Sequence, residues 1–131
     1  MAHILIVEDA PDNRTIAELI LIDAGFRVTS VSDGASALIA AATKHPDIIL
    51  MDLSLPHLDG WEATRRLKSD PATCHIPVIA FTAHALPNDI ERARACGCSS
   101  IIAKPFEIDF FLSQINAFVK QPVERSRRVS A

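Results

Sequence analysis

Pro46-Asp47-Ile48-Ile49-Leu50-Met51-Asp52 sets four large apolar residues in a row between a proline-led entry and a closing carboxylate. A strand exposed on one face alternates apolar and polar residues, whereas a strand covered on both faces reads as an unbroken apolar run. This stretch therefore predicts a buried strand of a parallel sheet. Three further runs have the same shape. Ile4 to Val7 ends at Glu8 and Asp9, Val78 to Phe81 ends at Thr82, and Ile101 to Ala103 ends at Lys104 followed by Pro105. Sheets of this kind place ligands just beyond the carboxyl ends of their strands. Three carboxylates, a hydroxyl and an amine are thus expected to converge.

Helix-like segments fill the gaps between the runs, which is the pattern of βα units. The first begins near Pro11, a favoured early helical residue, and Gly25 stops it. Ile16, Leu19 and Ile20 are expected on its inner face; Leu21 and Ile22 fall outside that stripe and are read as core all the same. Phe26 to Val31 is a mixed run whose Thr29 and Ser30 suit an edge strand. Asp33 can cap a helix through about Thr43, with Ala37, Leu38 and Ala41 inward. Trp61, Ala63, Thr64 and Leu67 give weaker helical spacing in the next segment. Pro87 starts a fourth helix and Gly97 closes it. Ile108, Phe111, Ile115 and Phe118 form the clearest apolar stripe, on a fifth helix. Residues 1–120 are expected to make one α/β domain with a five-stranded parallel sheet, and 121–131, poor in apolar residues and carrying three arginines, a disordered tail.

At 131 residues the chain is long enough for one substantial core and too short for a second, separate output module. A net charge of -3 argues against a general nucleic-acid or anionic-membrane binder. No apolar stretch approaches the ~20 residues of a spanning helix, and no charged-then-apolar leader opens the sequence, so a cytoplasmic protein is expected. Cys74, Cys96 and Cys98 suit neither a disulfide framework nor a four-ligand zinc site and read as free thiols. His3, His45, His57, His75 and His84 show no ligand spacing, and none looks like a phosphodonor.

Gathering Glu8, Asp9 and Asp52 is costly, since two like charges 4 Å apart repel by ~4 kcal/mol at an effective dielectric of 20. Mg²⁺ fits as the compensating charge, being a hard ion that takes carboxylate oxygens and shares its shell with phosphate. Lys104 supplies a second positive charge. A carboxylate in such a cluster can attack phosphorus to give an acyl phosphate, and Asp52, after the most apolar and hence most central run, is the expected nucleophile. Glu8 and Asp9 look like a metal-holding pair. Mg²⁺, the Lys104 ammonium and the Thr82 hydroxyl would then each stabilise part of the transferred group, with small Ala83 leaving room for it. A lone Asp after a strand is usually a helix cap and a lone Lys a solvated charge. Four such endings in the order acidic pair, Asp, Thr, Lys-Pro are hard to obtain from capping alone.

With these residues in place the chain resembles the receiver domain of two-component response regulators, over about residues 3 to 120. The likeness rests on Ile4-Leu5-Ile6-Val7-Glu8-Asp9, Met51-Asp52-Leu53-Ser54-Leu55-Pro56, Asp59-Gly60, Phe81-Thr82-Ala83 and Lys104-Pro105-Phe106. It implies a doubly wound, flavodoxin-like (βα)5 sheet in the order 2-1-3-4-5, an order for which a chemotaxis member of the family is itself a standard example. It also implies that Asp52 accepts a phosphoryl group from a histidine on a kinase or histidine phosphotransfer protein. Asp9, Asp52 and the Ser54 backbone carbonyl would bind Mg²⁺, Glu8 would act mainly through a bound water, and Thr82 and Lys104 would contact phosphoryl oxygens. By the same likeness the Lys104–Pro105 bond is cis, and Asn13 and Arg14 lie where such receivers dock the donor helix. Ser54 and His84 occupy variable positions that, in the family the chain resembles, flank the site and influence phosphate loss. One position departs from the pattern: where the family commonly has Tyr or Phe, three residues before the lysine, this chain has Ile101.

Three functions stand open at this stage. A stand-alone receiver, signalling by protein binding and catalysing only its own phosphorylation and dephosphorylation, accounts for the whole reagent set. A receiver-like scaffold that works without phosphate is suggested by Ile101. A flavodoxin-like enzyme or phosphatase fits least, because Glu8-Asp9-Ala10-Pro11 is acidic and glycine-free where a phosphate cradle needs open backbone amides.

Overall fold

The computed structural model describes residues 2–53, 59–82, 86–104 and 106–130, with side chains through residue 119. The elements run β1 (His3–Val7), α1 (Pro11–Asp23), β2 (Arg27–Val31), α2 (Gly34–Lys44), β3 (Ile48–Asp52), α3 (Gly60–Ser69), β4 (Val78–Thr82), α4 (Pro87–Cys96), β5 (Ser100–Ala103) and α5 (Ile108–Ser130). All strands are parallel, in the order β2-β1-β3-β4-β5. β3 is central, and every residue of β1, β3 and β4 is buried. β2, the run with polar Thr29 and Ser30, is an edge strand and half-exposed.

Alternate strand residues point to opposite faces, and the core divides accordingly. Leu5, Val7, Ile49, Met51, Val78 and Ala80 pack with Ala37 and Ala41 of α2, Ala63 and Leu67 of α3 and Ala93 of α4. Ile4, Ile6, Ile48, Leu50, Ile79 and Phe81 pack with Ala17 and Leu21 of α1 and with Phe111 and Ile115 of α5. Small buried residues, Ala37, Ala40 and Ala41 on α2 and Gly60 and Ala63 on α3, let these helices lie close to the sheet.

Caps set the helix starts. Asp33 accepts from the Ser36 amide at 2.7 Å and Asp59 from the Glu62 amide at 2.8 Å. Gly25 and Gly97, both at positive φ, turn the chain after α1 and α4.

Two helices differ from their expected faces. In α1 the inward residues are Ala17 and Leu21, with Ile20 partly buried, while Ile16, Leu19 and Ile22 are exposed. A 3.6-residue period fits either stripe among six clustered apolar residues; the small side chain of Ala17 lets the helix approach the sheet and decides between them. In α5 Phe111 and Ile115 are buried and Phe118 partly so, but Ile108, in the first turn, is exposed. α5 also continues through residues 121–130, which the sequence set apart as a tail. The cysteines are free; Cys98 is buried, and desolvation pushes its thiol up to about 11. Among the described residues no helix is long and apolar enough to cross a membrane.

Candidate functional site

Parallel register brings the strand ends level. Val7 pairs with Met51, Asp52 with Phe81 and Thr82 with Ala103, so the residues after these pairs share one edge. Glu8 follows β1 directly, and its amide donates to the Val31 carbonyl at 3.1 Å, which holds it as a continuation of the strand. Asp52 and Thr82 are the last residues of β3 and β4. The Lys104 amide donates to the Thr82 carbonyl at 2.8 Å, tying the end of β5 to that of β4.

Glu8, Asp52 and Thr82 are buried, whereas Asp9 is exposed. One carboxylate oxygen from each of Glu8, Asp9 and Asp52 lies within 4.8 Å of the others. The Lys104 ammonium is 2.8 Å from Glu8 Oε1 and 3.7 Å from Asp52 Oδ2. It also stands 4.5 Å above the Phe81 ring centre, where the negative face of the ring favours a cation. Glu8 Oε2 accepts from the Ala10 amide at 3.1 Å, and the Arg14 guanidinium donates to the Glu8 carbonyl at 3.0 Å, so α1 begins braced against the acidic turn. Phe106 stacks on Phe111 with ring centres 4.5 Å apart, anchoring the chain just past Lys104 to the α5 core.

One ammonium cannot balance three converging carboxylates. The buried pair, Glu8 and Asp52, faces an exposed Asp9, which leaves the cluster open to solvent on one side. That donor set, hard oxygens with water access and surplus negative charge, fits a divalent cation of the Mg²⁺ type. Every expected site side chain within the described residues, Glu8, Asp9, Asp52, Thr82 and Lys104, lies at this one edge. Ser54, Ala83, His84 and the Lys104–Pro105 bond lie outside the described residues.

Gly60, quoted above only as part of the Asp59-Gly60 pair, also shapes the site. A Cβ there would lie 2.2 Å from the Asp52 carbonyl oxygen and 2.6 Å from Leu53 Cα, so only glycine lets α3 start against the peptide that carries Asp52. Which backbone Gly60 touches is a tertiary fact that no local pattern carries.

A five-stranded parallel sheet in this order, with an acidic cluster and a lysine at its carboxyl edge, defines the receiver class of signalling proteins. The response regulator receiver domain matches residues 4–116, and the chain belongs to that family. Among its relatives, the polar-differentiation response regulator DivK of Brucella ovis is 39% identical over 116 residues, which cover 88% of this chain and 94% of DivK. Among solved structures, the receiver domain of the sensor histidine kinase PA1611 of Pseudomonas aeruginosa PAO1 has a TM-score of 0.86 at 38% identity, covering 92% of this chain and 98% of that one. That structure holds a magnesium ion coordinated in its active-site cleft. Chemotaxis protein CheY4 of Vibrio cholerae has a TM-score of 0.85 at 26% identity, covering 90% and 98%.

Proposed function

We propose that this chain is a phospho-receiver whose Asp52 takes a phosphoryl group from a phosphohistidine of a histidine kinase or histidine phosphotransfer protein, and whose output is binding to another protein. The observation that carries this reading is the Asp52 carboxylate at the end of the central strand, clustered with Glu8 and Asp9 and 3.7 Å from Lys104. Asp9, Asp52 and the Ser54 carbonyl would hold Mg²⁺, with Glu8 acting through water. When bound, the ion neutralises charge on the phosphoryl oxygens and the carboxylates.

The chain's own residues do the rest. An Asp52 oxygen forms the new P–O bond while the P–N bond to the donor imidazole breaks, leaving an acyl phosphate and a free histidine. Lys104, already between Glu8 and Asp52, stabilises the charge spread over the phosphoryl oxygens, and the Thr82 hydroxyl donates to one of them. The donor helix docks on α1 near Asn13 and Arg14. The exposed Ile16 and Leu19 support this, as does a cleft of about 460 Å³ lined by Asn13, Ile16, Ile20, Lys104, Phe106 and Ile108, which leads from the apolar face to the site lysine. The domain division in this reading is a receiver over residues 1–120 with 121–131 as an appendage. The chain turns over no separate substrate.

Incubation with acetyl phosphate and Mg²⁺ should add one phosphate, read by intact mass, that Asp52→Asn abolishes; an unmodified wild type would overturn the reading. Ile101 favours a second reading, a scaffold that binds its partner regardless of phosphate. Equal affinity for a transferring kinase with and without beryllofluoride would select it.

A further inference from the structure

We infer that α3 transmits the state of Asp52 to α4 through Gly60, Trp61 and Arg92, which makes the α3–α4 face a reporting surface of this chain. The inference rests on Asp52 being the phosphoacceptor. Its first link is steric. Gly60 sits so close to the Asp52 carbonyl and to Leu53 that not even a methyl group fits between them. Packed interiors of this kind pass displacements on instead of absorbing them. Asp59 adds the second constraint: its side chain accepts from the Glu62 amide, so the first turn of α3 is closed over the contact and moves with it.

Trp61 comes next along the helix. It is half-buried and packs against the core cluster that contains Met51 and Leu53. The guanidinium carbon of Arg92, on α4, stands 4.3 Å from its ring centre. Glu62, which follows Trp61 on α3, already pairs with Arg65 and Arg66 of its own helix, and among the described residues no ion pair holds Arg92. The ring is thus the partner that Arg92 has, and the contact ties the two helices across a groove of about 290 Å³.

The other flank of α4 is looser. A cavity of about 260 Å³ lies between α4 and β5, lined by Ile90, Ala93, Arg94, Cys98 and Ile101 among others. A helix held on one side by a cation–π contact and bordered on the other by a cavity follows the side that holds it. Ile101, with no ring to reach across that cavity, leaves the α3 side as the stronger connection.

Trp61 is the only tryptophan in the chain, so its emission reports the α3 end of this route without interference. The test is a titration with beryllofluoride in the presence of Mg²⁺. Bound fluoride is read by ¹⁹F NMR, Trp61 by fluorescence and the Ile90–Ala95 amides of α4 by hydrogen exchange. In the wild type both the emission and the α4 exchange rates should change in step with occupancy, the latter severalfold. Arg92→Met, which keeps the length of an exposed side chain and removes its charge, should keep the emission change and lose the α4 response, and Arg92→Lys should restore it. At full occupancy, an unchanged α4 in the wild type, or an undiminished α4 response in Arg92→Met, overturns the inference. Absence of a bound fluoride signal instead overturns the acceptor reading, and the coupling with it.

Discussion

Asp9 differs from its two neighbours in being exposed, so it can take up or lose a metal ion without any rearrangement of the core. Glu8 is held by Lys104 and the Ala10 amide, and Asp52 sits beside the same lysine. A cation that binds the folded cluster and not the unfolded chain stabilises by about 2.7 kcal/mol at a hundred times its dissociation constant. Thermal unfolding of the wild type should shift upward with Mg²⁺, and Asp9→Asn should lose most of that shift while keeping its metal-free midpoint or gaining slightly from reduced repulsion. An equal Mg²⁺ shift in both proteins would remove Asp9 from the metal site. Gly60→Ala forces a methyl group against backbone and should cost about 1–3 kcal/mol, the usual range for overpacking. Urea unfolding measures it, and a neutral result would mean that the start of α3 can retreat from Asp52. That Glu8, Asp9, Asp52, Thr82 and Lys104 meet at one edge was legible in the sequence because each stands at the end of an apolar run, and parallel register does the rest. Gly60 was not, because a contact between backbones eight residues apart leaves no periodic trace.

At the scale of elements, the β1–β2 edge carries a pH dependence of its own. The His3 ring Nε2 and Thr29 Oγ1 are 2.7 Å apart, and the His3 amide donates to Asp47 at 2.7 Å. Burial, reinforced by Arg27, lowers the His3 pKa below its ordinary 6.5, with Asp47 opposing. The unfolded chain therefore binds the proton first as pH falls. Stability from this residue is complete above about pH 6.5, declines below it, and levels off once the folded-state value is passed. Replacement by Gln, which cannot titrate, should flatten this part of the curve of urea midpoint against pH between neutrality and about pH 5; parallel curves would rule His3 out as the source. The strands themselves were legible to within a residue or two, since unbroken apolar runs allow little else. The helix faces were less so. In α1, apolar residues at 16, 17, 19, 20, 21 and 22 cover most of the circumference, and the sheet selected Ala17 and Leu21 on closeness of approach, which hydrophobicity alone does not rank.

Those same displaced residues matter for the molecule as a whole. Exposing Ile16, Leu19 and Ile22 on α1 and Ile108 and Phe110 on α5 places large apolar groups on one side of the sheet, beside the cleft that reaches Lys104. α2 and α3 belong to the opposite layer with α4, where the coupling to Arg92 is proposed, so the proposed receiving and reporting surfaces lie on different faces of the sheet. This separation makes the receiving face testable by itself. Ile16 is 53% exposed, so Ile16→Glu should leave folding stability within about 0.5 kcal/mol. It should also leave phosphorylation by acetyl phosphate unchanged, because a small donor diffuses to Asp52 without touching α1. In the proposed reading, transfer from a phosphorylated histidine kinase seats a helix there, and a carboxylate in the apolar contact should slow it about tenfold or more, equivalent to about 1.4 kcal/mol. The two donors, followed side by side on Phos-tag gels, separate the possibilities: equal loss with both would place the defect at Asp52, and equal retention would move the docking site away from α1.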